Sequence, residues 1–246
     1  MLDHPEQTIA ELREELARHE REAADRQRQL ERYATDLRET FKQERAAAAE
    51  LRRSYVATVR ALANAVEARD AYTGKHAERV AAYGVEIAAA VGLRLTDNPE
   101  IEFGFLLHDV GKVAVPDAIL FKAEPLTEDE FRLIARHPVI GSQILRDVDF
   151  LGEAKLVVRH HHERWDGKGY PDGLAGEDIP LAARVFAVAD ALDALTTDRP
   201  YRPASSWGAA RAEIRAGAGT QFDPRVVDAY DQVSDDALAA IRTSLA

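Results

Sequence analysis

Near the middle of the chain an adjacent histidine and aspartate, His108 and Asp109, offer an imidazole nitrogen and a carboxylate to a metal ion. Such donors suit zinc, manganese or iron, and the absence of cysteine excludes a thiolate site. The dipeptide alone is weak evidence, because a surface pair is the more common explanation of a His-Asp dipeptide. The other histidines and carboxylates therefore decide between a metal site and a surface pair.

Further histidines and one carboxylate recur along the chain at intervals of 24 to 32 residues. One helix and one turn take about this length, so consecutive helices of a bundle would each present one ligand at a similar height. Bundle cores with inward-facing ligands are an established way to hold two metal ions. The residues in this pattern are His76, His108, His137, His161, His162 and Asp190.

Helical position supports an inward orientation for two of these residues. His76 lies four residues before Val80 and shares its apolar stripe. Asp190 interrupts the apolar stretch 185–192, which predicts a buried helix, and a buried carboxylate is costly to keep ionised without a cation or several donors. Asp190 is therefore expected to bind a metal ion or, as the alternative, to form a structural salt bridge with Arg184.

Three consecutive histidines, His160, His161 and His162, form the last group. Each follows an apolar residue by four positions, so periodicity does not identify which of them point inward. A solvated histidine run is the alternative interpretation, and the internal position of the run weakens it.

The elements that must position these residues are predicted to be helices. An apolar stripe at helical spacing runs from Val80 to Val91, and Thr127 opens a second helix with a capping-box signature. Pro138 is expected to end one helix and to open the next. Further predicted segments are helices over residues 139–145, 151–163 and 181–195 and a turn-rich loop over residues 166–173. No convincing strand alternation occurs, so the predicted fold class is all-α.

Residues 6 to about 55 predict one long helix of a different kind. Counting in sevens from Ile9 reaches mostly apolar residues as far as Leu51, whereas counting from Leu12 meets polar residues such as His19. This pattern predicts a coiled-coil homodimer with a polar, adjustable seam. A lone charged helix held by i to i+4 pairs is the alternative, but an unpacked helix of this length has little to stabilise it.

Composition limits the function classes. The formal net charge of −11 argues against a general nucleic-acid binder, so no DNA partner is expected. Residues 1–20 are charged throughout, unlike a signal peptide, and no apolar run approaches the roughly 18–20 residues that span a bilayer. The protein is expected to be soluble and cytoplasmic, with a coiled-coil signalling helix over residues 1–58 and a globular domain over residues 59–246.

Three sequence stretches, together with His76 and His137, resemble the HD-GYP family, a branch of the HD-domain metal-dependent phosphohydrolases. The stretches are HDVGK at 108–112, HHERWDGKGYP at 161–171 and IPLAARVFAVADALDALTTDRPYR at 179–202. The resemblance covers roughly residues 60 to 230, and the second stretch is the most specific of the three. It implies an all-α, HD/PDEase-like helical bundle after the N-terminal coiled-coil helix.

The resemblance also implies a binuclear metal site in which Asp109 bridges two divalent ions, with iron or manganese as the usual metals. His160 does not match a ligand position. Family members with a third metal have a glutamate where this chain has Tyr72, so two ions are expected. The implied ligands are His76, His108, Asp109, His137, His161, His162 and Asp190.

The implied activity is hydrolysis of cyclic di-GMP to the linear dinucleotide pGpG, and in some relatives further to GMP. A hydroxide that bridges the two metals would attack phosphorus, with Asp109 and Lys112 as the catalytic residues. For Arg199 and Arg202, which match substrate-binding positions, surface ion pairing is the alternative. The residues that match substrate-binding positions are Lys112, Gly169, Tyr170, Pro171, Asp193, Arg199 and Arg202.

Three other functions compete with this one. An HD hydrolase that acts on another nucleotide would be revealed by a substrate panel. A non-catalytic cyclic di-GMP sensor or adaptor, whose coil passes a signal to a partner protein, would bind the ligand tightly without hydrolysis. A redox di-iron enzyme would consume oxygen, although Lys112 as a phosphate ligand argues against it.

Overall fold

Helix α1 runs without interruption from Pro5 to Glu67 in the computed structural model, which describes residues 5–68, 75–95, 98, 100–198 and 203–245. Contacts between residues divide the chain into two units, Met1–Tyr55 and Val56–Ala246. The long helix predicted from residue 6 is present, but it continues past residue 55. Its last turns differ from the preceding ones because Val59 and Ala63 are buried in the core of the second unit.

The first unit, by itself, is helical and strongly charged. The apolar residues of the stronger heptad position are exposed, with 49 % exposure at Ile9, 62 % at Leu30 and 52 % at Leu51. These side chains pack against no other part of the first unit that the structure describes. They are available to a partner helix.

The second unit is built from short helices that follow the end of α1. No strand occurs among the described residues, and the all-α prediction is confirmed. Short 3-10 turns cover Val110–Ala114, Asp149–Leu151 and Gly176–Asp178. The helices are α2 His76–Val91, α3 Glu100–Leu107, α4 Asp117–Leu120, α5 Glu128–Ile134, α6 His137–Ile144, α7 Ala154–His160, α8 Leu181–Thr196, α9 Trp207–Ala216, α10 Pro224–Tyr230 and α11 Asp235–Ser244.

Helices α2 and α8 form the centre of this unit. Helix α2 contacts α3, α8, α10 and α11, and α7 packs against α3, α6 and α8. The predicted stripe of α2 faces this core, where Val80, Tyr83 and Ile87 are fully buried. Helix α8 is apolar on most of its circumference and buries Phe186 and Leu192 completely. The two helices that supply His76 and Asp190 are therefore fixed by the core itself.

Two predicted helix signals are confirmed in the structure. Thr127 and Glu130 form both hydrogen bonds of a capping box at the start of α5. Pro138 lies in the first turn of α6, where its missing N–H costs no helical hydrogen bond.

The helix predicted over 151–163 is interrupted. Gly152 has a φ of 24° and a ψ of −113°, which a helix does not accommodate, so a 3-10 turn precedes it and α7 begins only at Ala154. Helix α7 then ends at His160, so His161 and His162 follow its last turn. None of the helices in the described ranges is both long and apolar enough to cross a bilayer.

Candidate metal centre

Three helix ends bring the central residues together. His108 and Asp109 follow the last turn of α3, His137 opens α6, and His161 and His162 follow α7. Helix ends leave backbone groups free for side chains, so ligand positions at helix ends are oriented by local hydrogen bonds.

The turn after Asp109 packs tightly on α6 through Gly111. A Cβ atom at Gly111 would lie 1.9 Å from the carbonyl oxygen of His137, so only glycine allows this approach. The glycine of the HDVGK stretch therefore sets the separation between Asp109 and His137.

Asp109 lies at the centre of the cluster and uses its two oxygens differently. Its Oδ1 lies 3.2 Å from Nε2 of His137 and 4.0 Å from Nε2 of His161. Its Oδ2 lies 3.1 Å from Nε2 of His108 and 2.7 Å from Nζ of Lys112. The two oxygens thus face different groups of donors, which is the arrangement a bridging carboxylate requires.

Three of the histidines are held in the same tautomer. Nδ1 donates to the backbone carbonyl three residues earlier, at 2.9 Å in His108, 2.7 Å in His137 and 2.8 Å in His161. A carbonyl only accepts, so the proton of the neutral ring lies on Nδ1 and the Nε2 lone pair is free. Metal-ligating histidines are commonly fixed in this way by an outer hydrogen bond.

The free lone pairs of His137 and His161 face each other. Their Nε2 atoms are 3.2 Å apart, although neither carries the proton. Burial and the neighbouring imidazoles hold the pKa of His161 well below its usual range, so this ring stays neutral. Two buried lone pairs at this distance repel each other unless a cation lies between them. The donor set therefore fits a metal ion.

His162 completes this group. Burial, followed by the neighbouring His137 imidazole, lowers its pKa to about 3. The ligand atoms of Asp109, His137, His161 and His162 all lie within 4.8 Å of one another. These residues form a compact set of neutral nitrogens and one carboxylate.

His76 and Asp190 lie on the other side of His108. Nε2 of His76 is 3.5 Å from Oδ1 of Asp190, and the His76 and His108 rings are in edge contact at 5.5 Å. Burial would lower the pKa of His76, but its hydrogen bond to Asp193 and the nearby carboxylates raise it to about 9. The structure thus brings all seven predicted ligands into one region.

Asp190 is only partly buried, which differs from the prediction. It points from the apolar helix α8 into a cavity, and one third of its side chain is exposed. The alternative salt bridge is wrong, because Arg184 pairs with Asp223 at 2.7 Å. Asp190 is therefore available as a ligand.

Asp193 was expected to line the substrate pocket, and the structure corrects this expectation. It is 2 % exposed and accepts hydrogen bonds from Nδ1 of His76 at 2.8 Å and from Nε of Arg79 at 2.6 Å. Asp193 lies about one helical turn after Asp190 on α8. This position puts its carboxylate behind the candidate ligand His76. Arg79 lies one turn after His76 on α2. Its contact with Asp193 was not predicted, because nothing in the sequence indicates that this charged residue is buried.

A cavity of about 800 Å³ opens beside the cluster. Its walls include the ligands His161, His162 and Asp190. The predicted loop supplies Gly169 and Tyr170 to the wall, and Pro171 follows directly in the chain. The remaining lining residues include Phe131, Glu163, Arg164, Lys168, Glu213, Ile214, Gln221 and Phe222.

Lys112 and His160 occupy distinct positions. Lys112 reaches the cluster through its ion pair with Asp109. Nδ1 of His160 points away from it, toward Glu163 at 3.8 Å and Asp172 at 3.6 Å. The carboxylate of Asp172 is already bound by both Nε and Nη2 of Arg159, each at 2.8 Å.

The predicted residues Tyr72, Arg199 and Arg202 lie outside the described residues.

Several known proteins are similar to this chain in sequence. The family model of the HD domain matches residues 60–226. The chain is 46 % identical over 174 residues to the cyclic di-GMP phosphodiesterase response regulator RpfG of Xanthomonas campestris pv. campestris, covering 70 % of this chain and 46 % of that protein. It is 41 % identical over 186 residues to the 3'3'-cGAMP-specific phosphodiesterase 2 of Vibrio cholerae, covering 75 % of this chain and 35 % of that protein. The chain therefore spans less than half the length of these curated relatives.

One solved structure shares the fold. A cyclic GMP-AMP-specific phosphodiesterase of Vibrio cholerae matches with a TM-score of 0.58 and 20 % sequence identity. The match covers 75 % of this chain and 53 % of that one. At this identity the likeness supports the helical architecture alone.

Proposed function

Because this chain belongs to the HD domain family, in its HD-GYP branch, we propose that it is a metal-dependent phosphodiesterase that hydrolyses cyclic di-GMP. One observation supports this most directly: two groups of metal-binding side chains meet at the two oxygens of Asp109, beside a cavity of about 800 Å³. A cavity of that size lies within the range that binds small-molecule ligands.

The proposed site holds two divalent ions, iron or manganese. His137, His161 and His162 face Oδ1 of Asp109 and would bind one ion. The second ion would be bound on the side of the other oxygen, by His76, His108 and Asp190. The ligand set of imidazoles and carboxylates suits these metals and lacks any soft donor.

When bound, such an ion pair supplies Lewis-acid activation of water and charge neutralisation at the phosphate. The chain's own residues provide the rest. Lys112, held 2.7 Å from Asp109, would carry a positive charge to a non-bridging phosphate oxygen, where negative charge grows during cleavage. Asp193 accepts the Nδ1 proton of His76, so a bound cation would displace only the Nε2 proton and take that nitrogen as its ligand.

The cavity offers suitable partners for a cyclic dinucleotide. Phe131 and Tyr170 present aromatic faces on which a base would stack, and Lys168 and Arg164 bring positive charge into a protein of net charge −11. Arg199 and Arg202 are proposed from the family resemblance alone to bind the second phosphate or a guanine edge. One cleavage gives pGpG, and GMP requires a second.

A related substrate is a second candidate, because one relative is named as 3'3'-cGAMP-specific. The two cyclic dinucleotides differ in one base, so only the base contacts of the cavity distinguish them. Competing hydrolysis of an equimolar mixture measures this preference directly.

We further propose that the N-terminal helix forms a homodimeric coiled coil and transmits a signal from a partner protein. The exposed apolar residues at most of the positions counted in sevens from Ile9 support pairing. The polar residues at the other seam position, including His19 and Arg26, would allow the pairing to adjust.

The activity is tested with purified full-length protein loaded with Mn²⁺ or Fe²⁺. Linearisation of cyclic di-GMP is expected, and Asp109→Ala should abolish it because both groups of ligands lose their shared carboxylate. His160→Gln is the matched control, since that histidine lies outside the cluster. A fully metallated protein that turns over neither cyclic dinucleotide would rule out the enzyme proposal and favour a sensor.

A further inference from the structure

We propose that Tyr170 is a positioning residue that orients the metal ligand His162, and that Glu163 fixes the loop that carries Tyr170. The inference rests on the proposed metal site and assigns to its surrounding residues a role separate from substrate binding.

Three of the clustered histidines are oriented by hydrogen bonds. His108, His137 and His161 each donate Nδ1–H to a carbonyl three residues earlier. His162 makes no hydrogen bond through its ring with any residue that the structure describes. Its orientation must be set in another way.

Ring contacts take the place of the hydrogen bond. The His162 ring lies 4.7 Å from the Tyr170 ring, with 31° between their planes, and 4.1 Å from the His161 ring. Tyr170 also meets Phe131 edge to face at 5.8 Å. Both separations of the Tyr170 ring lie in the range that aromatic pairs prefer. Tyr170 therefore forms a wall that limits rotation of the His162 imidazole.

The backbone ties the two residues together as well. The N–H of Tyr170 donates to the carbonyl oxygen of His162 at 3.2 Å, so the loop turns back on the ligand that it covers. Burial raises the pKa of the Tyr170 phenol, which keeps the hydroxyl protonated and uncharged beside the carboxylates of the site. A neutral ring in this position adds no charge to the metal site.

Glu163 holds the far end of the same loop. It is 4 % exposed and follows His162 in the chain. Its Oε1 accepts the N–H of Asp172 at 2.8 Å, and its Oε2 accepts the N–H of Leu174 at 3.1 Å. Hydrogen bonds from backbone groups to a charged carboxylate are among the stronger ones in proteins. Tyr170 is thus anchored to His162, and the residues that follow it are anchored to Glu163.

Loss of the Tyr170 ring should therefore weaken metal binding. Residues that orient a metal ligand commonly change affinity by about 10- to 100-fold when they are removed. Without the Tyr170 ring, His162 would have to become ordered when the ion binds, and the ion of the His137, His161 and His162 group would bind more weakly. The other ion should be little affected.

The test compares Tyr170→Ala with Tyr170→Phe in the full-length protein. Titration with Co²⁺, followed by calorimetry and by visible absorption, reports the affinity and ligand field of each ion without substrate. We expect about tenfold weaker binding of one ion in Tyr170→Ala, with an altered absorption spectrum, and near-normal binding in Tyr170→Phe. Glu163→Ala should reproduce the Tyr170→Ala result. Tyr170→Leu, which keeps the volume of the side chain, replaces the alanine variant if that variant does not fold.

Two results would overturn the inference. Unchanged Co²⁺ affinity and absorption in Tyr170→Ala, with a raised KM alone, would limit Tyr170 to its proposed role as a substrate contact. Equal losses in Tyr170→Phe and Tyr170→Ala would assign the effect to the hydroxyl group. Because the titration uses no nucleotide, a wild-type protein that binds Co²⁺ but hydrolyses nothing would defeat the proposed activity and leave this inference standing.

Discussion

Behind the candidate ligand His76, Asp193 and Arg79 form a buried ion pair. Asp193 is almost fully enclosed, and its carboxylate satisfies the histidine and the guanidinium at the same time. Burial would raise the pKa of Asp193, yet its hydrogen bonds to His76 and Arg79 lower it to about 2. Stability and ligand orientation therefore depend on the same side chain.

Asp193→Ala should lower the free energy of unfolding by about 3–5 kcal/mol, because it removes a buried carboxylate that is hydrogen-bonded to both His76 and Arg79. Urea denaturation monitored by circular dichroism measures this cost. The matched control is Asp129→Ala, which removes an exposed ion pair with Arg132 and should leave stability nearly unchanged. A loss of less than 1 kcal/mol in Asp193→Ala would mean that water reaches Arg79.

Gly111 also affects both the stability of the protein and the position of a candidate ligand, which here is His137. Gly111→Ala should destabilise the protein by about 1–3 kcal/mol and weaken metal binding at His137, because the added Cβ collides with the backbone of α6. Thermal unfolding and metal titration measure the two effects. Gly208→Ala is the control, since a Cβ there meets nothing within 4 Å, and equal behaviour of the two variants would contradict the close approach.

At the scale of elements, helix α5 begins with a reciprocal cap. The hydroxyl of Thr127 accepts the N–H of Glu130 at 3.3 Å, and the Glu130 carboxylate accepts the N–H of Thr127 at 2.7 Å. Thr127→Ala should therefore cost about 1 kcal/mol of stability, whereas Thr127→Ser should cost little. Urea midpoints of the two variants, compared with wild type, measure the difference.

The same cap has a defined pH dependence. The Lys122 ammonium, bound at 2.8 Å, and the Thr127 N–H lower the pKa of Glu130 from 4.5 to about 2. Because the pKa is lower in the folded protein, this contribution is fully present above about pH 4.5 and is lost as the pH falls toward 2. Glu130→Gln should therefore flatten the stability profile between these pH values. An unchanged slope would show that the cap is not formed in solution.

Elements also determine which histidines join the site. Helix α7 ends at His160, so His161 and His162 follow its last turn, and both reach His137 and Asp109. A helix that continued through residue 163 would have spread the three histidines around its circumference. The early end of α7 separates His160 from His161 and His162.

For the whole molecule, the proposed dimer gives a direct prediction. Replacing Leu16, Leu30 and Leu37 together by asparagine should convert a dimer into a monomer, because the exposed apolar seam is lost. Analytical ultracentrifugation of the full-length protein measures the mass. Arg28→Ala, outside both seam positions, is the control and should stay dimeric. A monomeric wild-type protein at micromolar concentration would contradict the coiled coil.

Local sequence was enough to predict the all-α class, the long first helix, the cap at Thr127 and a set of candidate metal-binding residues. Helical periodicity and capping are local properties, and local sequence is enough to specify them. The spacing of the ligands and the HD-GYP resemblance together pointed to residues far apart in the chain. Neither the spacing nor the resemblance indicated which residues each of these side chains would contact.

Tertiary structure alone decided those partners. Asp193 turned out to hold His76 and Arg79, Arg184 paired with Asp223, and Glu163 anchored the loop of Tyr170. Each of these contacts joins different helices or loops, and which polar groups meet depends on how the core packs. The pKa values follow the same rule, because burial and neighbouring charges are set only when α2, α3, α6, α7 and α8 come together.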